Sequence, residues 1–539
     1  MKIKYLLSSI IILTLLLAGC NDLDTFPQGN DVTSQQKEEV YEMDPSRSEA
    51  GVNAIFAQFN QYMPNETALN AERHNDFGYP SIMLFTDGNG IDVVTEDNGY
   101  NWTGNNLDFS DRSHTSNETQ ILWNNLYSMI YTANTVINTI DPATEEAQPK
   151  FFLAQGHAAR AFSYLNLIQL FQFNYVGNES KPGVPILTNE NLAEVTENGA
   201  PRATVEAVYE LIISDLSTAI DLFEGAEGVQ RRDKRYIDLG VAYGLRARAN
   251  LAMQKWADAA ADAQGAIDAT SASPAGLTDV NKPAFMSASE ANWMWGIIIA
   301  ETDRVVTSGI VNWISHMGSL NYGYANFSGG RQINKALYET ISETDVRKGW
   351  WLDENSESPN LLVDGEDKNK YVAAVNAYGY KPYTHVKFAP YNEVARQSTN
   401  ANDIPLMRVE EMYLIKAEAE AMSGGSGTAT LVDFIQEYRD PDYSFASTNP
   451  AEVQEEVYRH RRIELWGEGL NWFDVMRLNK PVDRRGGGFP DATMVFNIPA
   501  GDPILLWRLP EKEILANKAL TDGDNNPAAP APSPVPDFE

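Results

Sequence analysis

The chain has 539 residues and a formal net charge of −33, because 41 Lys and Arg stand against 74 Asp and Glu. A nucleic-acid-binding protein needs a basic footprint, and the basic runs Arg231-Arg232 and Arg459-His460-Arg461-Arg462 have acidic neighbours. The composition therefore argues against nucleic acid as a partner. It argues more weakly against strongly polyanionic ligands, since electrostatic fields can be local.

The first 19 residues have the order of a secretory signal peptide. Lys2 and Lys4 precede an apolar run, Leu6 to Leu17, that is too short for a comfortable membrane span. Leu17-Ala18-Gly19-Cys20 is similar to a bacterial lipobox, which implies cleavage before Cys20 and a lipid on its thiol. Because Cys20 is the only cysteine, the folded part then has none for a disulfide, a metal site or a nucleophile.

Further along, apolar residues recur at the three- and four-residue spacing of amphipathic helices. The stripes are Trp123, Tyr127, Ile130, Asn134 and Ile137; Phe151, Ala154, Ala158, Phe162 and Leu165; Val205, Val208, Ile212, Leu216 and Ala219; Ala242, Leu245, Ala249 and Ala252, continued by Trp256, Ala260, Ala263 and Ile267; and Met412, Ile415, Ala419 and Met422. Thr204 precedes the third stripe as a predicted N-cap. These stripes predict a mainly α fold.

The stretch 242–266 is rich in alanine, whose small side chain lets two helices approach closely. A tryptophan that opens a helix, with alanines packed behind it, is typical of tetratricopeptide (TPR) helix pairs. The repeat period is not kept along the chain, so pattern alone leaves degenerate TPR-like pairs and generic helical packing equally open.

Two regions lose the helical period and are dense in glycine, asparagine and aromatic residues. They span 86–106 and about 283–402. Irregular polar-aromatic segments on a rigid scaffold are where binding residues tend to lie. The last stretch, 521–539, is rich in Pro, Ala, Asp and Asn without an apolar period, which predicts a flexible tail.

The sequence offers little for catalysis. None of its six histidines forms a local metal motif. A glycosidase needs two carboxylates, and Glu464 and Glu468 are spaced to share a helix face, with Asp474 nearby. Arginines are interleaved with them, which favours salt bridges and lowers a carboxylate pKa, the wrong direction for a general acid. These are Arg461, Arg462 and Arg477.

A metal site is only weakly indicated. Asp87, Asn89 and Asp92 could supply oxygen ligands to calcium, but the full twelve-residue loop and its distal Glu are missing. An ordinary turn is the better interpretation, and we predict no metal and no cofactor.

Longer motifs occur in a fixed order along the chain. The two most specific are Pro405-x-x-Arg408-x-x-Glu411-x-Tyr413-Leu414-Ile415-x-Ala417-Glu418-Ala419 and Arg461-Arg462-x-Glu464-Leu465-x-Gly467-Glu468-Gly469. Shorter ones are Asn21-Asp22-Leu23-Asp24, Arg160-Ala161, Asp345-x-Arg347 and Leu509-Pro510-x-x-Glu513. Together they resemble the SusD/RagB family of Bacteroidetes outer-membrane lipoproteins over nearly the whole mature chain. One departure is 431–440, where the family's Asn-x-x-Arg element is replaced by a stretch that reaches Tyr438-Arg439.

The resemblance implies four TPR-like helix pairs beside an irregular, ligand-binding subdomain. It also implies a non-catalytic surface lipoprotein of the outer membrane that acts as a lid on a SusC-like TonB-dependent transporter and captures glycans or, in some members, peptides. The expected parts are a signal peptide (1–19), a lipidated segment (20–50), an N-terminal helical part (51–280), the irregular subdomain (281–402), a C-terminal helical part (403–520) and the tail (521–539).

A pyranose stacks its C–H face on an exposed aromatic ring while polar side chains bond its hydroxyls. By analogy with the family, a first platform loop before the Trp123 helix should contain Tyr100, Asn101 and Trp102. The second should come from the irregular subdomain, with the candidates Trp313, Tyr322, Tyr324 and Trp295.

Two alternatives remain open on the sequence. A peptide- or cofactor-capturing relative would have fewer exposed aromatics and a larger enclosed cavity. A pure TPR scaffold for proteins would have no exposed platform, so solvent exposure of Trp102 and Trp313 distinguishes it from a glycan binder.

Overall fold

A computed structural model describes residues 48–97, 99–100, 102–361 and 368–538. Cys20 and Asn101 lie outside these ranges. The helices in chain order are α1 Ser48–Ala57, α2 Glu66–Leu69, α3 Tyr79–Asn89, α4 Gly104–Leu107, α5 Asn117–Thr139, α6 Ala147–Phe171, α7 Leu192–Asn198, α8 Val205–Glu224, α9 Leu239–Ala252, α10 Trp256–Ala269, α11 Leu277–Val280, α12 Arg304–Thr307, α13 Trp313–Met317, α14 Tyr324–Phe327, α15 Lys335–Glu339, α16 Lys368–Tyr378, α17 Val409–Met422, α18 Gly427–Tyr438, α19 Pro450–Glu464, α20 Asn471–Arg477 and α21 Glu511–Ala516.

The described strands are short and form two-stranded antiparallel ladders, β1 with β5, β2 with β3, β4 with β6 and β7 with β8. Their bounds are β1 Val93–Val94, β2 Pro182–Pro185, β3 Arg202–Thr204, β4 Trp293–Ile297, β5 Gln332–Ile333, β6 Ile404–Arg408, β7 Val482–Asp483 and β8 Asn497–Ile498. The mainly α fold predicted from the apolar stripes is confirmed.

Eight of the helices form a row of four successive pairs. In chain order they are α5, α6, α8, α9, α10, α17, α18 and α19, and each packs on the next. A predicted N-cap fixes where one of these helices begins, and small residues let neighbouring helices pack closely. Thr204 Oγ1 accepts a hydrogen bond from the Ala207 backbone N–H at 3.2 Å and so caps α8. Fully buried alanines, among them Ala249 and Ala263, line the contacts of α9 and α10.

Residues 270–408 are inserted within this row, between α10 and α17. The two ends of the insertion are held together by β4 and β6, in which Ile297 lies opposite Ile404. A second ladder, formed by β1 and β5, places Val93 opposite Ile333. This ladder brings the loop after β1 beside the loop before β5.

A fully buried ion network joins the last helix pair to the inserted region. Its carboxylates are Asp345, Glu410, Glu464 and Glu468, and its cations are Arg347, Lys387, Arg408 and Arg439. Burial alone would raise the pKa of Glu464, but the guanidinium groups of Arg439 and Arg408 hold it well below its ordinary value. Lys387 donates to Glu468 at 2.6 Å, and burial lowers its pKa to about 8.

The network corrects one expectation. Glu464 and Glu468 do not share a helix face, because α19 ends at Glu464 and the chain then turns through Gly467 at φ 73°. Their partners come from distant segments, with Arg408 Nη1 at 2.9 Å from Glu464 Oε1. The salt-bridge interpretation itself is confirmed for Asp474, which pairs with Arg461 and Arg477 at 2.7 Å each, whereas Arg462 pairs with Asp92.

The stretch 431–440, which departs from the family pattern, forms a helix and supplies one cation of the ion network. Residues 427–438 form α18, and Arg439 directly after it is fully buried. Its guanidinium contacts Glu464 at 2.8 Å and Glu410 at 3.0 Å. The different sequence before Arg439 therefore leaves this cation in contact with two carboxylates.

The described end of the chain is not a free tail. Asn526 is buried and donates to the carbonyls of Phe171 and Trp507 at 2.7 Å each, and Val535 N–H donates to Val495. Composition shows no apolar period here because the contacts are hydrogen bonds and single apolar side chains, such as Ala529 and Val535, rather than a periodic hydrophobic face.

We expect Glu464→Gln to lower the free energy of unfolding by about 3–5 kcal/mol, because it leaves buried guanidinium groups without their shared counter-ion. Urea denaturation followed by circular dichroism measures the change. Arg485→Gln is the matched control, since it breaks the partly exposed pair with Asp483 and should shift the denaturation midpoint far less. Equal shifts in the two variants would contradict the structural role of the network.

Candidate ligand-binding surface

The β1–β5 ladder brings together aromatic residues from the two predicted platform loops. Tyr100 and Tyr324 meet edge to face with ring centroids 5.6 Å apart, and Trp102 and Tyr324 do so at 6.5 Å. We call these three residues, together with His74 against them, the aromatic cluster. Two of the predicted loop residues, Tyr100 and Trp102, thus lie beside one residue of the inserted region.

Trp102 is held from behind by the segment before α3. Its ring stacks on the imidazole of His74, with centroids 5.1 Å apart and planes at 16°, and the Arg73 guanidinium lies 4.7 Å from the indole centroid. Asn75 Nδ2 donates to the Trp102 carbonyl at 3.0 Å. Arg73 is itself fixed by a 2.5 Å contact with the buried carboxylate of Glu118. The indole is therefore half-buried and oriented.

Tyr324 is positioned by two histidines. Its hydroxyl lies 2.5 Å from His74 Nδ1, and its ring stacks on His316 with centroids 4.6 Å apart. His316 Nε2 lies 2.9 Å from the His74 carbonyl oxygen, which closes the arrangement. Gly323 permits it, because a Cβ there would lie 2.4 Å from Ser315 Cβ.

These histidines are held neutral. Burial lowers the pKa of His316 to about 3, with a further contribution from the nearby Arg331 guanidinium. Burial also lowers the pKa of His74, where Glu72 acts in the opposite direction. A neutral imidazole beside the Tyr324 hydroxyl presents no charge to a ligand, which suits recognition of neutral hydroxyl groups.

The cluster is open to solvent on one side. Tyr100 exposes 58% of its surface and Tyr322, just before the cluster residue Tyr324, exposes 42%. Phe327 exposes 62% and lies edge to face with Tyr322, ring centroids 6.4 Å apart. Phe327, His74 and Arg73 were missed by the sequence analysis. Phe327 lies in a run rich in Gly, Asn and Tyr, which could have indicated it. Nothing in the local sequence distinguishes His74 or Arg73 as part of a binding surface.

The predicted platform residue Tyr324 is 4% exposed and supports the cluster from within, and two further predicted platform residues cannot stack on a ligand. Trp313 is 1% exposed and packs edge to face on Phe388, with ring centroids 5.2 Å apart. Trp295 is fully buried in β4 against Phe59 and Phe162. Both predictions were wrong because the glycine- and asparagine-rich surroundings concealed short regular elements, α13 and β4, whose side chains enter the core.

The three residues considered for calcium are occupied by protein contacts. Asp87 accepts the Gly469 N–H at 3.2 Å, Asn89 donates to Asp111 at 2.8 Å, and Asp92 pairs with Arg462 at 2.5 Å. The expected turn is wrong for two of them, since Asp87 and Asn89 lie in the last turn of α3, where every residue is buried. Within the described ranges, no group of three or more His, Cys, Asp or Glu side chains is arranged to hold a metal ion.

Two family models match most of the chain. The model described as "SusD family" matches residues 311–521, and the model described as "Starch-binding associating with outer membrane" matches residues 44–232. The chain belongs to the SusD/RagB family. The first match contains the two long motifs, Asp345-x-Arg347 and Leu509-Pro510-x-x-Glu513, and the second contains Arg160-Ala161, Tyr100 and Trp102.

Two relatives carry the same family name. A SusD-like protein P38 of Formosa agariphila is 25% identical over 395 residues, which cover 68% of this chain and 73% of the relative. A SusD-like protein of Bacteroides ovatus is 24% identical over 252 residues, 45% of this chain and 38% of the relative.

Solved structures of SusD-like proteins share the fold. A SusD-like carbohydrate-binding protein of Bacteroides vulgatus superposes with a TM-score of 0.73 at 22% identity, covering 89% of this chain and 97% of the other. Surface glycan-binding protein A of Bacteroides thetaiotaomicron, solved with laminarihexaose, superposes with a TM-score of 0.63 at 16% identity, covering 89% and 99%. In the part of this SusD/RagB protein that the structure describes, no helix has the length and apolar character to span a bilayer.

We expect the imidazoles of His316 and His385 to stay neutral at about pH 5, where an unperturbed histidine is mostly protonated. Burial lowers both pKa values to about 3. Each ring would take up its proton only on unfolding, so its contribution lowers the free energy of unfolding as the pH falls from about 6.5 to about 3. Imidazole ¹⁵N shifts followed by NMR measure this directly. A titration of His316 near pH 6.5 would contradict the buried stack beneath Tyr324, and a titration of His385 there would contradict its burial against Phe388 and Trp466.

Proposed function

We propose that this protein is a non-catalytic, surface-exposed glycan-binding lipoprotein that holds an oligosaccharide on the aromatic cluster and delivers it to a SusC-like TonB-dependent transporter. The observation that carries the proposal is the contact of the exposed Tyr100 and the half-buried Trp102 with Tyr324, which is 4% exposed and supports the two rings from beneath. The family model's description as starch-binding, and the glycan complex of a protein with the same fold, support it.

The chemistry of the surface suits a sugar. Rigid rings offer a face for pyranose C–H groups at little entropic cost, and the flanking Tyr322 hydroxyl offers a hydrogen bond to a sugar hydroxyl. The stacking and ion-pair contacts behind Trp102 fix its orientation before a ligand arrives, which reduces the entropy lost on binding. A shallow, open surface also permits release, as delivery to a transporter requires.

The exposed aromatic residues favour this proposal over a scaffold that binds only proteins. The test chosen from sequence was exposure of Trp102 and Trp313, and Trp313 fails it. The exposed rings are instead Tyr100, which contacts Tyr324 as the half-buried Trp102 does, and the pair Tyr322 and Phe327, which meet edge to face. A TPR scaffold has no use for such a platform outside its helical grooves.

The proposed absence of catalysis is supported by the state of the carboxylates that resembled a glycosidase pair. Glu464 and Glu468 are buried and bound to Arg408, which holds both pKa values below the ordinary range although burial alone would raise them. Neither carboxyl group is placed to protonate a glycosidic oxygen.

We expect Tyr100→Ala and Trp102→Ala each to weaken polysaccharide binding by about three- to tenfold, because each removes a stacking face. Affinity electrophoresis of the mature chain from Asn21, through native gels containing a panel of polysaccharides, measures the loss. Tyr131→Ala is the matched control, since Tyr131 is 69% exposed on α5 but lies outside the cluster.

Retardation of the parent chain that both cluster variants reduce and Tyr131→Ala preserves would support the proposal. Retardation that is unchanged in both cluster variants would refute the proposed site. No retardation by any polysaccharide would refute glycan capture and favour a peptide or another small nutrient as the ligand.

The anchor and the partner belong to the same proposal, with Cys20 as the lipidated residue. We expect Cys20→Ser to abolish incorporation of labelled palmitate and to release the protein from the outer-membrane fraction. The parent protein, solubilised from membranes in mild detergent, should co-purify with a TonB-dependent barrel. Labelling that persists in the variant would refute the lipobox interpretation without affecting the ligand surface.

A further inference from the structure

A second pocket lies apart from the aromatic cluster, between the N-terminal helix and the inserted region. It has a volume of about 620 Å³ and is bordered by the segment after α1, by β4 and by the start of α12. Its polar lining, with the aromatic Tyr62, consists of Asn60, Gln61, Arg235, Asp303 and Arg304, and Phe56, Phe59 and Trp295 add buried aromatic walls. An aromatic ring, two amides and two guanidinium groups in one cavity form a set of groups that can recognise a sugar carrying a negative charge.

The two arginines belong to the minority of described arginines, Arg331 and Arg484 among them, that form no ion pair with another described residue. With a net charge of −33, carboxylates are abundant, and nearby Arg246 and Arg248 pair with Asp262 and Glu411 at 2.7 and 2.6 Å. Neither Arg235 nor Arg304 forms an ion pair with any residue that the structure describes. Arg235 Nε is moreover buried without a hydrogen-bond partner there. Such a group costs free energy until an acceptor reaches it.

Arg235 is nevertheless held in place by its backbone. Trp295 Nε1 donates to the Arg235 carbonyl at 2.9 Å, and Gly296 N–H donates to the Lys234 carbonyl at 3.0 Å. The loop that carries Arg235 is therefore fastened to β4, which forms one wall of the pocket. The main chain that carries this guanidinium is thus fixed before any ligand binds.

Arg304 is oriented by an aromatic ring. Its guanidinium carbon lies 4.1 Å from the ring centroid of Tyr62. A guanidinium placed flat on a ring keeps its N–H edges free for two parallel hydrogen bonds to an oxyanion. The one carboxylate in the lining, Asp303, already accepts the Ala300 N–H at 2.9 Å.

The amides supply the remaining recognition. The side chains of Asn60 and Gln61 form no hydrogen bond to any other described residue, so their donors and acceptors are free for sugar hydroxyls. We propose that this pocket is a second glycan subsite, in which Arg235 and Arg304 bind the carboxylate or sulfate-ester group of an acidic sugar. The inference rests on the proposed glycan capture and narrows its ligand to a polysaccharide with acidic residues.

Each acidic polysaccharide is tested against a neutral counterpart. Polygalacturonate is paired with its methyl ester, and a sulfated carrageenan with its desulfated form, in calorimetric titrations of the mature chain at one fixed ionic strength. The parent should bind at least one acidic polymer about tenfold more tightly than its neutral form. The carboxylate and sulfate pairs show which oxyanion is recognised.

Arg235→Gln and Arg304→Gln should each reduce that preference, and the double variant should remove it. Arg232→Gln is the matched control, since Arg232 lies on the same loop but outside the pocket lining and is half exposed. Loss in the pocket variants with retention in Arg232→Gln supports the subsite.

An equal affinity of the parent for acidic and neutral forms, or a preference unchanged in the double variant, would overturn the inference. Neither result affects glycan capture at the aromatic cluster, which Tyr100→Ala tests with neutral polymers. Conversely, an acidic preference that the double variant loses while Tyr100→Ala changes nothing would retain the subsite and reject the cluster.

Discussion

The buried ion network is the constraint on which the rest of the structure depends. Removing charges from water is costly, and the cost is offset only when every charge meets its partners in good geometry. Glu464 comes from the last helix pair and Arg439 from the residue after its first helix, while Arg347, Lys387 and Arg408 come from the inserted region. The network is complete only when the insertion lies correctly against the helix row, so it selects one arrangement of the two parts.

That arrangement decides what the surface can bind. His385, two residues before Lys387, belongs to the same buried layer as His316, on which Tyr324 stacks. The helix row thus supplies a rigid base, and the irregular region supplies the exposed rings and polar groups. Both proposed subsites lie where the insertion meets the N-terminal part, the aromatic cluster at the loop after β1 and the second pocket at the segment after α1. A ligand that bridged them would contact both parts of the protein.

The net charge of the chain is a poor guide to which ligands the protein binds. The buried network pairs four carboxylates with four cations, so it adds no net charge to the electrostatic field that a ligand meets. The second pocket carries two guanidinium groups that form no ion pair with any residue the structure describes, although the chain as a whole is strongly acidic. Local composition, rather than the sum of charges, therefore decides which ligands approach.

The family, the mainly α fold and most of the helices could be predicted from the amino-acid sequence, because apolar residues at a regular spacing report local structure. The loop of Tyr100 and Trp102 could be located too, since no apolar period is present there. Exposed aromatic residues could not be distinguished from buried ones in this way, because Trp313 and Trp295 have the same kind of sequence neighbours as Tyr322. Tertiary packing decided between them, since exposure depends on which distant segment covers a ring. The partners of Glu464 and the unpaired state of Arg235 are likewise products of chain segments far apart in sequence, which no local spacing encodes.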